Sequence, residues 1–323
     1  MRKKTLEHQW LEAVGRRRGL DGRGAGELKR LQRGFDGEIE LDRFVDQYGG
    51  DGWRVYRDIW LACGGITQVD TMIVTSGGIY VCDAKNYSGE YVYAEGKWYA
   101  GGRLLNRDIF VQLKRSMEKV DDMCARIGPD IMAEGAVVFV NEHFELEMKS
   151  PAPGRVVTRN RIRKYMMEVD EAAFGRFHVE RLCRMIEKYM IENPYNPPVC
   201  DAEMYSMMAK GVNCAGCGSY GVAVGRLFIR CVNCGYCEGK EKSVLRTICE
   251  YGVLMHDHEL KLQDVYDFMA GEVEKRYIRS ILARYFKLKV TGKHACYENL
   301  RQSLEYAFPN VEFYYKDRVV SRK

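Results

Sequence analysis

Two acids and a lysine stand at one end of a short apolar repeat in QVDTMIVTSGGIYVCDAK, residues 68–85. The runs TMIVT and IYVC are rich in β-branched and aromatic residues, and Ser76-Gly77-Gly78 joins them in the pattern of a β-hairpin. A two-residue type I′ loop at Gly77-Gly78 would pair Ser76 with Ile79, Asp70 with Lys85 and Met72 with Asp83. Side chains alternate along a strand, so this register puts Asp70, Asp83 and Lys85 on one face at one end of the hairpin. A slip of one residue would send Asp70 to the other face. Two convergent carboxylates suit a hard divalent cation, magnesium or manganese, that keeps waters and binds a phosphate oxygen. Such an ion polarises a phosphoryl group and helps generate hydroxide, while a lysine orients the attacking water or offsets transition-state charge. Glu38, on the preceding predicted helix, is the candidate third acid. The same residues would also fit a plain cross-strand ion pair at a sheet rim.

A second set of chemistry-bearing residues lies at 211–238, GVNCAGCGSYGVAVGRLFIRCVNCGYCE. Cys214-x-x-Cys217 and Cys231-x-x-Cys234 are two knuckles separated by 13 residues. That spacing suits tetrahedral zinc held by four thiolates, a structural site because no position stays open for water. The segments GVAV and RLFIR read as the hairpin strands of a zinc ribbon. Cys237 is a spare that could exchange with Cys234, and a redox dithiol is the competing use of such cysteines.

The elements that must position these groups follow from periodicity. Residues 1–34 carry glycines too often for a stable helix and read as a mobile or loosely helical arm. FDGEIELDRFVDQYG has helical spacing and ends at Gly49-Gly50; strand WRVYRDIWLA follows, then the hairpin, then a third antiparallel excursion around Glu95-Gly96. A helix is predicted over 106–127 with Asn106 as its cap. AVVFV (136–140) reads as a central strand covered on both faces, and RVVT (155–158) as a weaker one. Another helix is predicted over 170–191, with Phe174, Phe177, Leu182, Ile186 and Met190 facing the core, before NPYNPP breaks the chain.

Composition bounds the rest. The 323 residues, 46% hydrophobic and 29% charged, suit a soluble globular chain of two domains. No apolar run approaches the roughly 20 residues that span a bilayer, so no membrane partner is expected. The opening MRKKTLEHQWLEAVGRRR has no apolar core, so no secretory leader is expected and the cytoplasm is the expected compartment. Twelve cysteines there point to metal rather than to disulfides. Net charge is +5, yet residues 1–34 hold ten Lys and Arg against four acids, which suggests an anionic partner. Arg16, Arg17 and Arg18 lie in this segment. KRYIRSILARYFKLKVTGK (275–293) adds seven Lys and Arg without an acid. Its apolar stripe leaves Arg276, Arg279 and Lys287 on another side, where they could neutralise phosphates. An ordinary solvated helix face would look the same.

The order Gly37-Glu38 on a helix, a strand, Thr67-Gln68-Val69-Asp70, Gly78-Ile79-Tyr80-Val81 and Asp83-Ala84-Lys85-Asn86-Tyr87-Ser88-Gly89 resembles the NERD (nuclease-related) domain of the PD-(D/E)XK nuclease superfamily. The resemblance covers about residues 35–125. It implies a mixed sheet flanked by helices and a magnesium-dependent phosphodiesterase site at Glu38, Asp70, Asp83 and Lys85. Family members commonly carry glutamate at the position of Asp83, and an Asn-Pro pair before a glutamine on the next helix. This chain has Asn106-Arg107 and then Gln112, its candidate for that glutamine.

The expected protein is therefore α/β. A PD-(D/E)XK-type mixed sheet flanked by helices occupies 35–193, after a basic arm at 1–34. A zinc ribbon at 200–240 and a mostly helical region at 241–323 follow. The expected activity is metal-dependent hydrolysis of nucleic-acid phosphodiesters, with DNA ahead of RNA as partner. The rival readings are a catalytically inactive nucleic-acid binder and a protein-interaction adaptor built on the ribbon.

Overall fold

The computed structural model describes residues 2–128, 130–173 and 175–313. The expected helical region at 241–323 thus runs past the described residues, and Phe174 lies outside them. Two units share the chain: Arg2 with Arg30–Tyr195, and Lys3–Lys29 with the chain from Asn196 onward.

Residues 1–34 depart from the expected loose arm, because helix α1 spans Leu6–Arg18 and helix α2 spans Gly22–Tyr48. Thr5 caps α1 by accepting the His8 amide, and Asp21 Oδ1 accepts the Gly24 amide at 2.7 Å. Capping and buried faces (Trp10, Leu11 and Val14 in α1; Leu41 and Val45 in α2) outweigh the glycines' low propensity.

In the first unit come β1 (Arg54–Ala62), β2 (Ile66–Val74), β3 (Ile79–Lys85), β4 (Gly89–Ala94), β5 (Lys97–Ala100) and β6 (Arg103–Leu104). They are followed by α3 (Phe110–Ile127), β7 (Ala133–Phe139), β8 (Phe144–Met148), β9 (Arg155–Thr158), α4 (Ile162–Glu171), α5 (Val179–Ile186) and β10 (Met190–Ile191). The main sheet is mixed, in the order β10-β1-β2-β3-β7-β9. Its β10 to β3 pairs are antiparallel, and β3-β7-β9 run parallel. One face packs Ile73, Tyr80, Cys82 and Val138 against Leu41 and Val45 of α2 and Tyr165 and Met166 of α4. The other packs Met72, Val81, Val137 and Phe139 against Phe110, Leu113 and Val120 of α3 and Leu182 of α5. Covered on both faces, β7 is apolar throughout 136–139. Strands β6-β5-β4-β8 make a second sheet, with Glu95 and Gly96 both at positive φ in the β4–β5 turn.

Three local expectations change. Helix α3 starts at Phe110 with Ile109 at its cap position, and Asp108 Oδ1 accepts the Phe110 amide at 3.0 Å, so Asn106 is not its cap. Of the helix expected over 170–191, only α5 lies wholly within the range. Helix α4 ends at Glu171, a 3-10 turn (Glu187–Tyr189) and β10 follow α5, and the segment after α4 is a loop rather than helix. Between α4 and α5, Ser76 accepts the Gly175 amide on its hydroxyl (3.0 Å) and the Phe177 amide on its carbonyl (2.8 Å). This docking changes the hairpin as well. Ser76 does not pair with Ile79; the ladder closes at Val74↔Ile79, and Thr75–Gly78 form a four-residue loop. A side chain on Gly77 would meet the Ala172 carbonyl at 2.1 Å, so only glycine allows this approach.

The second unit holds α1, α6 (Ala202–Met207), β11 (Val222–Val224), β12 (Phe228–Cys231), β13 (Cys237–Gly239) and α7 (Lys240–Leu254). Then come α8 (Leu262–Phe268), α9 (Lys275–Tyr285), β14 (Leu288–Val290), β15 (Cys296–Tyr297) and α10 (Leu304–Ala307). Strands β11-β12-β13 form a small antiparallel sheet. Helix α7 is buried nearly all round and packs against α1, α8 and α9, as expected of a central helix.

Candidate active site and cysteine cluster

Three neighbouring strands deliver an acid at one level. Arg57↔Thr71 and Ile59↔Val69 set Asp58 of β1 opposite Asp70 of β2. Thr71↔Cys82 is the last regular β2–β3 pair, and the same register continued sets Asp70 beside Asp83. The expected pairing of Asp70 with Lys85 and Met72 with Asp83 is thus displaced by two residues, because the loop takes four residues rather than two. A shift of two preserves the face, so the expected convergence of Asp70, Asp83 and Lys85 survives.

Lys85 Nζ donates to Asp83 Oδ1 (2.6 Å) and to Gln112 Oε1 (2.9 Å). Gln112 Nε2, from the first turn of α3, reaches Asp70 Oδ1 at 3.5 Å, and the Ala84 amide donates to Asp70 Oδ2 at 3.2 Å. Asp70 is 7% exposed and Asp83 3%. Asp83 Oδ2 is buried without a hydrogen-bond partner. Burial pushes the Asp83 carboxyl up to about 7, Lys85 pulls against it, and Asp70 adds to the rise. A buried carboxylate oxygen with no donor, beside a second carboxylate, fits a hard divalent cation.

Glu38 approaches from α2. Gly37 makes the approach possible: a Cβ there would meet Asn86 Cβ at 2.7 Å. Asn86 Nδ2 donates to the Arg33 carbonyl (3.0 Å), so the residue after Lys85 ties the strand end to the helix. Burial raises Glu38 to about 8, with Asp70 adding to the rise and Arg2 opposing it.

Arg2, Asp42 and Asp58 are site residues that the sequence reading passed over. Arg2 is 3% exposed and sits among the acids. Its Nη1 donates to Glu38 Oε2 (2.9 Å), its Nε to Asp42 Oδ2 (3.0 Å), and its Nη2 to Asp42 Oδ1 (3.1 Å), the Asp70 carbonyl (2.8 Å) and Thr71 Oγ1 (3.0 Å). Asp58 adopts φ +51, rare for a strand residue, and accepts from Gln68 Nε2 at 2.7 Å. An acid inside the apolar run WRVYRDIWLA was the available signal for Asp58. Nothing local marks Arg2, whose partners lie 36 to 69 positions away.

In the second unit the two knuckles close on each other. Cys214 Sγ lies 3.7 Å from Cys234 Sγ, and Cys217 Sγ 3.6 Å from Cys231 Sγ. Four thiolates on a tetrahedral ion at 2.3 Å would be about 3.8 Å apart. Among the described residues, these four are the group of three or more Cys, His, Asp or Glu whose ligand atoms all lie within 4.8 Å of one another. The Gly216 amide (3.3 Å, to Cys214 Sγ) and Asn233 Nδ2 (3.7 Å, to Cys217 Sγ) point at the sulfurs. Cys237, on β13, is the strand partner of Arg230 on β12 and lies outside the cluster.

The expected phosphate-binding arginines divide. Arg17 is buried, donating to the Ala209 and Gly211 carbonyls and pairing with Glu250 at 2.6 Å, with its guanidinium over Phe268. Its charge is committed to the unit's interior, so it is not available to nucleic acid. Arg16 and Arg18 are exposed, and Arg16 also pairs with Glu250. Arg276 and Arg279 are exposed on α9, whose Ile278, Ile281 and Leu282 are buried. Lys287 is exposed too, but past the end of that helix.

Residues 33–140 match the family model described as the nuclease-related domain, NERD. That span runs from within α2 to the end of β7 and contains Glu38, Asp70, Asp83, Lys85 and Gln112. The chain therefore carries a nuclease-related domain, and a four-cysteine cluster follows it. No curated protein and no solved structure gives a match. Among the described residues, no helix is long and apolar enough to cross a membrane.

Proposed function

We propose that this protein is a metal-dependent nuclease hydrolysing phosphodiester bonds of DNA or RNA. The observation that carries the reading is the buried Asp83 Oδ2, unpartnered beside Asp70 and next to Lys85. Asp70 and Asp83 would hold magnesium or manganese, with Glu38 supporting from α2. The ion, when bound, supplies a Lewis acid and lowers the pKa of bound water. Lys85, steered by Asp83 and Gln112, places a cation and hydrogen-bond donor where charge builds on the phosphoryl oxygens. Gln112 keeps Lys85 and Asp70 in register with each other. In the second unit the four cysteines would hold structural zinc. Exposed Arg16, Arg18, Arg276, Arg279 and Lys287 would contact phosphates. None of the twelve cysteines is in a disulfide, which suits a reducing compartment such as the cytoplasm.

The test is incubation of purified protein with labelled DNA and RNA in magnesium, manganese or chelator, beside Asp83→Ala. Cleavage should need the metal and vanish in the variant, with binding retained. Binding by the wild type without any metal-dependent cleavage would instead make this a binding protein on a nuclease fold.

A further inference from the structure

The candidate site contains a cation of its own. Arg2 inserts its guanidinium into a cage of five oxygens: Glu38 Oε2, both carboxylate oxygens of Asp42, the Asp70 carbonyl and Thr71 Oγ1, all 2.8 to 3.1 Å from its nitrogens. The Asp70 carbonyl, which accepts from Arg2 Nη2, lies beside Asp58, whose positive φ falls at a gap in the β1–β2 register. An all-oxygen cage with two carboxylates is what a hard divalent ion also seeks. It would be the natural place for a second ion on the Glu38 side of Asp70.

We propose that Arg2 is a positioning residue standing in for that second ion, so that the site takes one divalent cation, at Asp70 and Asp83, and Glu38 is a partner of Arg2 rather than a metal ligand. This rests on the nuclease reading of Asp70 and Asp83. A guanidinium suits the role because it stays charged, is weakly hydrated and presents a planar fork of donors. Among the described residues, the four cysteines are the group of three or more whose ligand atoms all lie within 4.8 Å of one another, and Glu38, Asp70 and Asp83 as a set of three are not such a group. Glu38 is turned to Arg2 instead. Asp42 has a second cation, Arg57 Nε at 3.0 Å, which it shares with Asp46, so Asp42 is held by two guanidinium groups without a metal.

The experiment counts manganese bound per full-length chain, by calorimetry and by electron paramagnetic resonance, with the cysteine cluster loaded with zinc. Wild type should bind one ion and Asp83→Ala none. Arg2→Ala, which empties the oxygen cage, should bind two, and adding Glu38→Gln should return the count to one. Arg2→Lys, which keeps the charge, should stay at one and guards against a misfolded Arg2→Ala. Circular dichroism and zinc content report folding. Two ions on the wild type, or a single ion on folded Arg2→Ala, overturn the inference while leaving the nuclease reading intact. A wild-type ion that survives Asp83→Ala overturns the placement of the ion itself, and this inference with it.

Discussion

Asp83 and Glu38 hold protons in the folded chain that the unfolded chain would release near its ordinary carboxylate range. The sign of the consequence is fixed. A carboxyl whose folded pKa is raised, here to about 7 and about 8, contributes stability that is present at low pH and lost as pH climbs through those values. The metal-free protein should therefore melt at a lower temperature at about pH 8.5 than at about pH 6. Magnesium, which binds the deprotonated form, should raise the melting temperature more at the higher pH. Asp83→Asn should reduce both trends and leave the share that Glu38 contributes; a variant that keeps the full wild-type slope would remove Asp83 as a source. Lys85 acts on a different quantity. Lys85→Ala should lower the cleavage rate by about 10²-fold or more while manganese binding persists. Loss of the ion together with the rate would make Lys85 a support for Asp83 rather than a donor to the substrate.

At the scale of elements, α2 tests whether close approach governs the site. Gly34 and Gly37 lie one turn apart on the same helix; a Cβ at Gly34 meets nothing, whereas one at Gly37 meets Asn86 at 2.7 Å. Helix propensity alone predicts that alanine stabilises either position by about 0.5–1 kcal/mol. Gly34→Ala should do so in chemical denaturation. Gly37→Ala should lose that gain and cut activity, because α2 must back away from the end of β3 and take Glu38 with it. Equal stabilisation with unchanged activity would show that the helix has slack.

These elements also mark what the sequence could tell. The hairpin acids were legible because β2 and β3 are adjacent in sequence and parity survives an error of two in register. The loop itself was not legible, since Ser76 is claimed by Gly175 and Phe177, about 100 residues on. The long glycine-bearing helix was missed for a related reason: its stability comes from packing rather than propensity. The cysteine knuckles were legible outright because a metal's coordination geometry is written into spacing. Arg2 and Arg17 were the opposite case. A cation count says nothing about which guanidinium is buried, and both are held by partners distant along the chain.

For the whole molecule, the positive charges divide into interior and exterior ones, and the two should fail differently. Arg17→Ala leaves Glu250 buried with only the exposed Arg16 beside it. It should cost about 3 kcal/mol of stability, read as a lower denaturant midpoint. Arg276→Ala with Arg279→Ala should leave the midpoint alone and reduce the salt slope of DNA binding by about 2. An unchanged slope would place the nucleic acid elsewhere. Stripping the ion from the four cysteines should expose residues 211–239 to protease, because β11–β13 are short strands with little core of their own.

The chain's threading between its two units has a practical result for dissection. Arg2 belongs with Arg30–Tyr195, but the 27 residues after it, Lys3–Lys29, belong with the other unit. A recombinant fragment trimmed to residues 30–195 would keep every acid of the candidate site and lose the guanidinium seated among them. Its behaviour toward divalent ions should then differ from that of the intact polypeptide.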